Sequence, residues 1–264
     1  MAGDRWDDGV AYEAYIGRWS RPVAARFVDW LAIAPGARWV DVGCGSGALT
    51  ETILTRADPA VVSGIDPSAA LVATARDRIR DSRARFAVGD AASLPLDDAS
   101  ADAVVSGLVL NFVPDLAVAL HEMRRVAVAG ATVAAYVWDY AGRMDLLRRF
   151  WDAAVALDPT ARPLDEAVRF AVCAPDPLAY AFVATGLTDV ATDAIEVPTV
   201  FRDFDDFWQP FVRGTGPAPA YVASLDEGRM AALRERLLSS LPTEPDGSIR
   251  LVARAWAVRG RAGR

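Results

Sequence analysis

The stretch Val40–Thr50, VDVGCGSGALT, decides the predicted fold. A short apolar run ends at three alternate glycines, Gly43, Gly45 and Gly47, and a helix-compatible run follows at once. This pattern is typical of a buried strand that turns tightly into a helix. Glycine permits positive φ and lacks the Cβ that keeps a ligand away, so the backbone can approach a group at the helix amino end. The loop therefore predicts a site for a nucleoside cofactor.

Composition narrows the function classes. The 264 residues are 53% hydrophobic and 24% charged, which is typical of a soluble globular protein with a large core. The chain has no lysine, which excludes Schiff-base lysine chemistry and a lysine-based phosphate loop. Its net charge of −7 disfavours a nucleic-acid partner, because nucleic-acid binding needs a basic surface.

Cysteine and histidine are scarce. Two cysteines, Cys44 and Cys173, and one histidine, His121, supply neither a disulfide framework nor a cysteine or histidine metal cluster, so no metal is predicted. The acidic amino-terminal stretch does not resemble a signal peptide, and no apolar run of about 18 residues is long enough for a membrane span. We therefore expect a cytoplasmic protein without a membrane partner.

Strands and helices alternate after the glycine loop, which predicts a parallel, doubly wound sheet. Sheets of this kind bind ligands beyond the carboxyl ends of their strands. The residues at those ends, Gly43, Asp66, Asp90 and Gly107, should therefore line one crevice. The predicted strands are 38–42, 60–65, 85–88, 103–106, 132–137, 189–197 and 249–258. Residues 11–34 are predicted as helix, broken into two pieces at 20–22 by Pro22, and the Gly/Pro-rich stretch 214–219 is predicted as a turn.

Two cofactors fit the loop taken alone. A dinucleotide fold also has an acidic residue about 20 positions after its glycines, and Asp66 satisfies that spacing. Three features argue against a dinucleotide and favour the other cofactor. Asp41 lies inside the first strand, where a buried carboxylate needs a partner. Asp90 supplies a second acid that suits an adenine amine. A long helix precedes the first strand, and a catalytic tyrosine–lysine or histidine pair is lacking.

At these residues the chain resembles the class I S-adenosylmethionine-dependent methyltransferases of the small-molecule, type 11-like group. The resemblance is strongest over residues 36–139 and implies a Rossmann-like, seven-stranded sheet, mostly parallel with the last strand antiparallel, plus an inserted helical cover. The matching segments are VDVGCGSGALT (40–50), GIDPSAALVATAR (64–76), FAVGDAASLPLDDASADAVVS (86–106), LVLNFVPDLAVALHEMRRVAVAGATVAAYVWD (108–139), GLTDV (186–190) and, for the family's lid helix, YIGRWSRPVA (15–24).

The resemblance also implies roles for residues. The glycine backbone would approach the methionine moiety, Asp66 would accept from both ribose hydroxyls, and Asp90 would meet the adenine amine. Tyr15 and Arg18 would hold the cofactor carboxylate. Both acids are alternatively helix caps or turn residues, and Asp41 either contacts the cofactor or bonds loop amides. The predicted cofactor-binding residues are Tyr15, Arg18, Asp41, Gly43, Gly45, Gly47, Asp66, Pro67, Asp90, Ala91, Gly107 and Leu108.

The predicted activity is methyl transfer to oxygen, nitrogen or carbon of a small-molecule acceptor, with S-adenosylhomocysteine as the product. In-line displacement on a sulfonium depends on alignment and exclusion of water and needs no dedicated base. If a base is used, the candidates are Asp139, Tyr140 and His121, of which His121 is expected on an outer helix face. The alternatives are an NAD(P)-dependent oxidoreductase using the same loop and a non-catalytic cofactor-binding module. The oligomeric state is not predicted.

The domain organisation is predicted as one methyltransferase domain, 1–264, because the sequence shows no repeat and no linker. Its cover aromatics, such as Phe150 and Trp208, either wall an acceptor pocket or only pack. The predicted segments are amino-terminal lid helices (1–35), a cofactor-binding core (36–139), two substrate-cover insertions (140–174 and 200–246) and closing strands (187–199 and 247–259).

Overall fold

A computed structural model of the chain describes residues 17–214 and 216–263. Tyr15, predicted to bind the cofactor, lies outside the described residues, as does the first part of the predicted lid segment 15–24. Within the described ranges, no helix is long and apolar enough to cross a membrane.

Seven strands form one sheet in the order β3-β2-β1-β4-β5-β7-β6. The first five pair in parallel, and the last strand runs antiparallel, which confirms the predicted fold class. The central strands are apolar because helices cover both faces of such a sheet. The strands are β1 (Arg38–Val42), β2 (Val61–Asp66), β3 (Ala84–Val88), β4 (Ala101–Gly107), β5 (Ala127–Trp138), β6 (Leu187–Phe201) and β7 (Ile249–Ala262).

Helices connect the strands, and several begin at a side-chain cap that the sequence supplies. The hydroxyl of Ser68 accepts from the Leu71 N–H, and the carboxylate of Asp115 accepts from the Val118 N–H. The helices are α1 (Arg18–Leu31), α2 (Ala48–Arg56), α3 (Ala69–Arg78), α4 (Leu116–Val126), α5 (Asp145–Leu157), α6 (Glu166–Arg169), α7 (Pro175–Ala184), α8 (Phe204–Arg213), α9 (Pro217–Ala223) and α10 (Glu227–Ser240), with 3-10 turns at Leu110–Phe112 and Pro159–Leu164.

The chain divides into two compact units. The first, here the core unit, comprises Ser20–Val137, Val172–Ile195 and Ala255–Arg264. Its centre is the pair β1 and β4, in which residues 39–42 and 103–106 are at most 3% exposed. The register Asp41↔Val105 and Asp66↔Val88 brings the carboxyl ends of the first four strands to one edge. That edge is where a doubly wound sheet holds its ligand.

The second unit, here the helical unit, comprises, among the described residues, 17–19, Trp138–Ala171 and Glu196–Arg254. Aromatic side chains form its core. Phe150 stacks on Phe211 with ring centroids 4.4 Å apart, and it contacts Tyr221 edge to face with centroids 6.2 Å apart. The buried carboxyl of Glu166 accepts from the indole N–H of Trp151, and burial raises its pKa to about 8. The unit contains most of the two segments that the sequence predicts as covers.

Two local predictions were wrong. Residues 20–22 were expected to break the first helix, but α1 continues through Pro22. A proline one turn into a helix removes a single backbone hydrogen bond, which the flanking turns tolerate. The Gly/Pro-rich stretch 214–219 was expected to be a turn, but Pro217 starts α9, where its missing N–H costs nothing.

Candidate cofactor site

The glycine loop joins β1 to α2 at the carboxyl edge of the core unit. Gly43, Gly45 and Gly47 have φ values of +75°, +52° and +89°, a region that glycine enters without strain. The N–H groups of Gly43 and Cys44 donate to the carbonyl of Ile65 at 2.7 and 3.1 Å. The loop is therefore fastened to the end of β2, and α2 begins directly behind it.

Two glycines of the loop differ in their surroundings: Gly43 is closely packed, whereas Gly45 faces open space. A Cβ on Gly43 would lie 2.5 Å from a methyl carbon of Val109, so the residue is glycine because the segment after β4 packs against it. A Cβ on Gly45 would meet nothing within 4 Å. The loop thus has a packed side and an open side. An open backbone face at a helix amino end suits a ligand with polar groups.

The carboxylate of Asp66 ends β2 and is 7% exposed. Its Oδ2 accepts from the Gly45 N–H at 2.9 Å and its Oδ1 accepts from the Ser68 N–H at 2.9 Å. Burial raises the pKa of Asp66, and the bonds from Ser68 and Gly45 oppose that shift. A carboxylate offers about four acceptor sites, so two remain for the hydroxyls of a ribose. Pro67, the next residue in the chain, is exposed.

Asp90 lies just beyond the end of β3. Its Oδ1 accepts from the Ala92 N–H at 2.8 Å, and its carbonyl accepts from the Ser93 N–H at 3.0 Å. The side chain is exposed, and Ala91 beside it is half-buried. One carboxylate oxygen suffices to cap the turn, so the other is free of that role, and the adenine contact of Asp90 stays a prediction.

Gly107 and Leu108 leave the end of β4 in a constrained conformation. A Cβ on Gly107 would lie 2.7 Å from the Tyr136 hydroxyl oxygen. Leu108 has a φ of +64°, which is uncommon for a non-glycine residue, and its N–H donates to the Tyr136 carbonyl at 2.8 Å. Left-handed non-glycine residues cluster at ligand sites, because the strain persists only where packing enforces it.

Asp41 is 1% exposed inside β1. Its Oδ2 accepts from the Thr50 hydroxyl at 2.7 Å, whereas its Oδ1 is buried without a hydrogen-bond partner among the described residues. Burial raises the pKa of Asp41 to about 7, against the Thr50 hydrogen bond. The structure therefore gives Asp41 a hydroxyl partner on α2. Whether it also contacts the cofactor stays a prediction.

Two further details bear on the site. The pKa of the buried Cys44 thiol is raised by desolvation and by the charges of Asp41 and Asp66, so it is not a ready nucleophile. Ser106 donates to the Val42 carbonyl at 2.8 Å and ties β4 to β1. Neither Ser106 nor Thr50 was singled out from the sequence, because a lone hydroxyl carries no pattern that reveals its partner.

Arg18 belongs to the helical unit. Its guanidinium carbon lies 4.6 Å from the Trp19 ring centroid and 4.7 Å from that of Phe201, and its Nη1 is 3.4 Å from an oxygen of Asp206. Its Nε and Nη2 atoms are buried and have no hydrogen-bond partner within the described ranges. The arginine thus has donors to offer an anion. Its assignment to the cofactor carboxylate stays a prediction.

The three candidate bases have local partners. His121 is exposed on α4, as expected, with Nδ1 2.7 Å from the Ala117 carbonyl oxygen. The carboxylate of Asp139 accepts from two backbone N–H groups and, at 2.6 Å, from the guanidinium of Arg254. Tyr140 is 4% exposed beside Phe170. These surroundings support structural roles, and a catalytic role for any of the three stays a prediction.

Residues 40–135, which include the loop and both acids, match the sequence model of a family described as methyltransferase domain. Over this part the chain is similar to the class I S-adenosylmethionine-dependent methyltransferases, in agreement with the resemblance found in the sequence. The match lies wholly inside the core unit and ends before the helical unit's Trp138–Ala171 segment.

Individual methyltransferases are similar to this chain over different shares of its length. A demethylmenaquinone methyltransferase of Roseiflexus is 39% identical over 105 residues, which are 39% of this chain and 44% of that protein. A trans-aconitate 2-methyltransferase of Variovorax paradoxus is 29% identical over 94% of both chains. In fold, the chain is similar to a phosphoethanolamine N-methyltransferase of Haemonchus contortus solved with S-adenosylhomocysteine (TM-score 0.59, 16% identity, 98% of this chain and 58% of that one).

The residues present fit the cofactor of this family, S-adenosylmethionine. The open face at Gly45 leaves room for a ligand where a side chain would fill it, and Asp66 has acceptor sites left beside it. Within the described residues, no group of three or more His, Cys, Asp or Glu is placed to hold a metal ion.

Proposed function

We propose that this protein transfers a methyl group from S-adenosylmethionine to a small-molecule acceptor. The observation that carries the proposal is the hydrogen bond between Gly45 and Asp66, which joins an open glycine loop to a buried carboxylate. The family match over residues 40–135 supports the same activity. The curated relatives named above, which act by name on demethylmenaquinone and trans-aconitate, support a small acceptor.

The chain's part in the reaction is to bind and align. The bound cofactor supplies an activated methyl group on a sulfonium. Asp66 and the loop amides would hold the ribose and the methionine moiety, and Asp90 would hold the adenine. Alignment and exclusion of water account for much of the rate in such a displacement, so a chain with one histidine and no lysine is chemically sufficient.

The acceptor is proposed to be selected by segments outside the family match, 140–174 and 200–246, which the sequence analysis assigned as covers. These segments supply the aromatic cluster of Phe150, Phe211 and Tyr221. We propose a cytoplasmic setting without a nucleic-acid partner, supported by the scarcity of cysteine and a net charge of −7.

Two measurements test the proposal. Calorimetry should show binding of S-adenosylhomocysteine and no comparable binding of NAD(H). Incubation with methyl-labelled S-adenosylmethionine and an acceptor panel that includes trans-aconitate and reduced quinones should give a labelled product. Binding of NAD(H) without S-adenosylhomocysteine would overturn the cofactor assignment. Cofactor binding with no labelled product across a broad panel would favour a non-catalytic cofactor-binding module.

A further inference from the structure

Asn111, the only asparagine in the chain, is half-buried, and its carboxamide is unsatisfied. Both polar atoms of its carboxamide, Nδ2 and Oδ1, are buried and lack a hydrogen-bond partner among the residues that the structure describes. An unpaired buried polar group destabilises the folded protein. Since the great majority of buried polar atoms are paired, two unpaired atoms on one side chain indicate a partner that the described residues do not supply.

The position of Asn111 places that partner beside the cofactor loop. The residue lies in the 3-10 turn Leu110–Phe112, directly after the constrained Gly107–Leu108 exit from β4. Val109, two residues earlier, fills the space next to the first loop glycine, Gly43. All of these residues belong to the core unit. The carboxamide is therefore attached to a short, rigid segment packed on the glycine loop.

The strand order selects one end of the cofactor. Asp66 ends β2 and Asp90 follows β3, both on one side of β1, whereas Asn111 follows β4 on the other side. Neighbouring strands lie about 4.8 Å apart, so β3 and β4 are separated by about 14 Å. A cofactor with its adenine at Asp90 and its ribose at Asp66 would extend across β1 and present its amino-acid end at β4.

We propose that the carboxamide of Asn111 binds the amino-acid end of S-adenosylmethionine. The chemistry is complementary on both sides: the amide N–H donates to the α-carboxylate, and the amide oxygen accepts from the α-ammonium. Asn111 is then a cofactor-binding residue outside the set predicted from the sequence. This inference rests on the proposed function.

The test compares two ligands that differ only at that end. S-adenosylhomocysteine has the amino-acid group, whereas 5′-methylthioadenosine keeps the adenosine and the sulfur without it. By calorimetry, Asn111→Leu should weaken binding of S-adenosylhomocysteine by about tenfold and leave binding of 5′-methylthioadenosine within twofold of the unchanged protein. Leucine has a similar volume and no polar atoms, so the ligand-free variant should unfold at an equal or higher urea concentration.

Two further variants sharpen the comparison. Gln209→Leu, which removes the chain's only glutamine from an exposed position on α8, should leave both affinities unchanged. Asn111→Ala should repeat the selective loss if leucine disturbs the fold. Equal losses for both ligands, or no loss for either, in variants that fold would overturn the assignment of Asn111. If the unchanged protein binds neither ligand, the proposed function fails instead.

Discussion

The N–H of Gly45 donates to the carboxylate of Asp66 across 2.9 Å, so the loop after β1 and the end of β2 form one connected unit. The same carboxylate holds the Ser68 N–H, which starts α3. A single side chain therefore orients a loop and a helix start while keeping acceptor sites for a ligand. Replacing it should affect both roles.

Asp66→Ala should weaken binding of S-adenosylhomocysteine at least tenfold, about 1.4 kcal/mol, because it removes a charged acceptor from the ribose and loosens Gly45. Calorimetry on the purified variant measures the effect. The matched control is Asp102→Ala, whose carboxylate pairs with Arg38 at the opposite, amino end of β1. Unchanged affinity in the Asp66 variant would remove Asp66 from the site.

Asp90 should affect ligand affinity only through its contact with the adenine amine. The proposed acceptor role for the adenine amine predicts that the protein prefers S-adenosylhomocysteine to its inosine analogue, in which an oxygen replaces that amine. Asp90→Asn should reduce this preference by about tenfold, since a charged acceptor is lost. Competition binding of the two ligands checks it. A preference that survives the substitution would leave Asp90 as a turn residue only.

Gly45→Ala should lower cofactor affinity without unfolding the protein. The substitution strains a φ of +52° by about 1–2 kcal/mol but meets nothing within 4 Å, so its main effect is to place a methyl group on the open face. Gly36→Ala is the control, because Gly36 also has positive φ, +79°, and open surroundings before β1. Urea unfolding should show similar losses for both variants. Only Gly45→Ala should weaken binding of S-adenosylhomocysteine, by about tenfold or more.

The buried Asp41 should make stability fall as pH rises. Its pKa is raised from 3.8 to about 7, so between these values the folded protein keeps a proton that the unfolded chain releases. The stabilisation is complete below the lower value and is lost as pH passes the upper one. Asp41→Asn removes this titration and retains an acceptor for Thr50. The stability of the variant relative to the unchanged protein should therefore increase up to pH 7, by at most about 1.4 kcal/mol per pH unit.

Urea unfolding between pH 5 and pH 8 measures this difference. Asp81→Asn is the comparison, because the hydrogen bonds from Arg83 lower the pKa of Asp81 to about 2. Asp81 is ionised in both states above pH 5, so its variant should differ from the unchanged protein by a constant amount. A flat difference for Asp41→Asn as well would show that Asp41 is ionised in the folded protein throughout this range.

The sequence was informative where local pattern and chemistry agree. Alternate glycines after an apolar run located the loop, and acids at strand ends located Asp66 and Asp90, because strand termini in a parallel sheet converge on one edge. Strand order and the antiparallel last strand came from the family resemblance instead. Local propensity contains no information on which strands become neighbours.

Hydrogen-bond partners that are distant in the sequence could not be predicted from local sequence patterns. That Asp41 needs a hydrogen-bonding partner followed from its place in a buried strand, but the choice of Thr50 depends on how α2 packs on β1. The unsatisfied carboxamide of Asn111 is likewise a property of packing, since an asparagine in a polar turn is ordinary in sequence. Pro22 shows the reverse, because tertiary packing retains a helix that a local breaker predicts to end.

The contact of Gly43 with Val109 makes two positions, 43 and 109, a single steric choice. The valine methyls occupy the place where any larger residue at 43 would put its first carbon. Among homologous chains, we therefore expect correlated substitution: a residue other than glycine at 43 requires a smaller side chain at 109. Attempts to reshape the segment after β4 should accordingly treat the loop glycine as part of the same design unit.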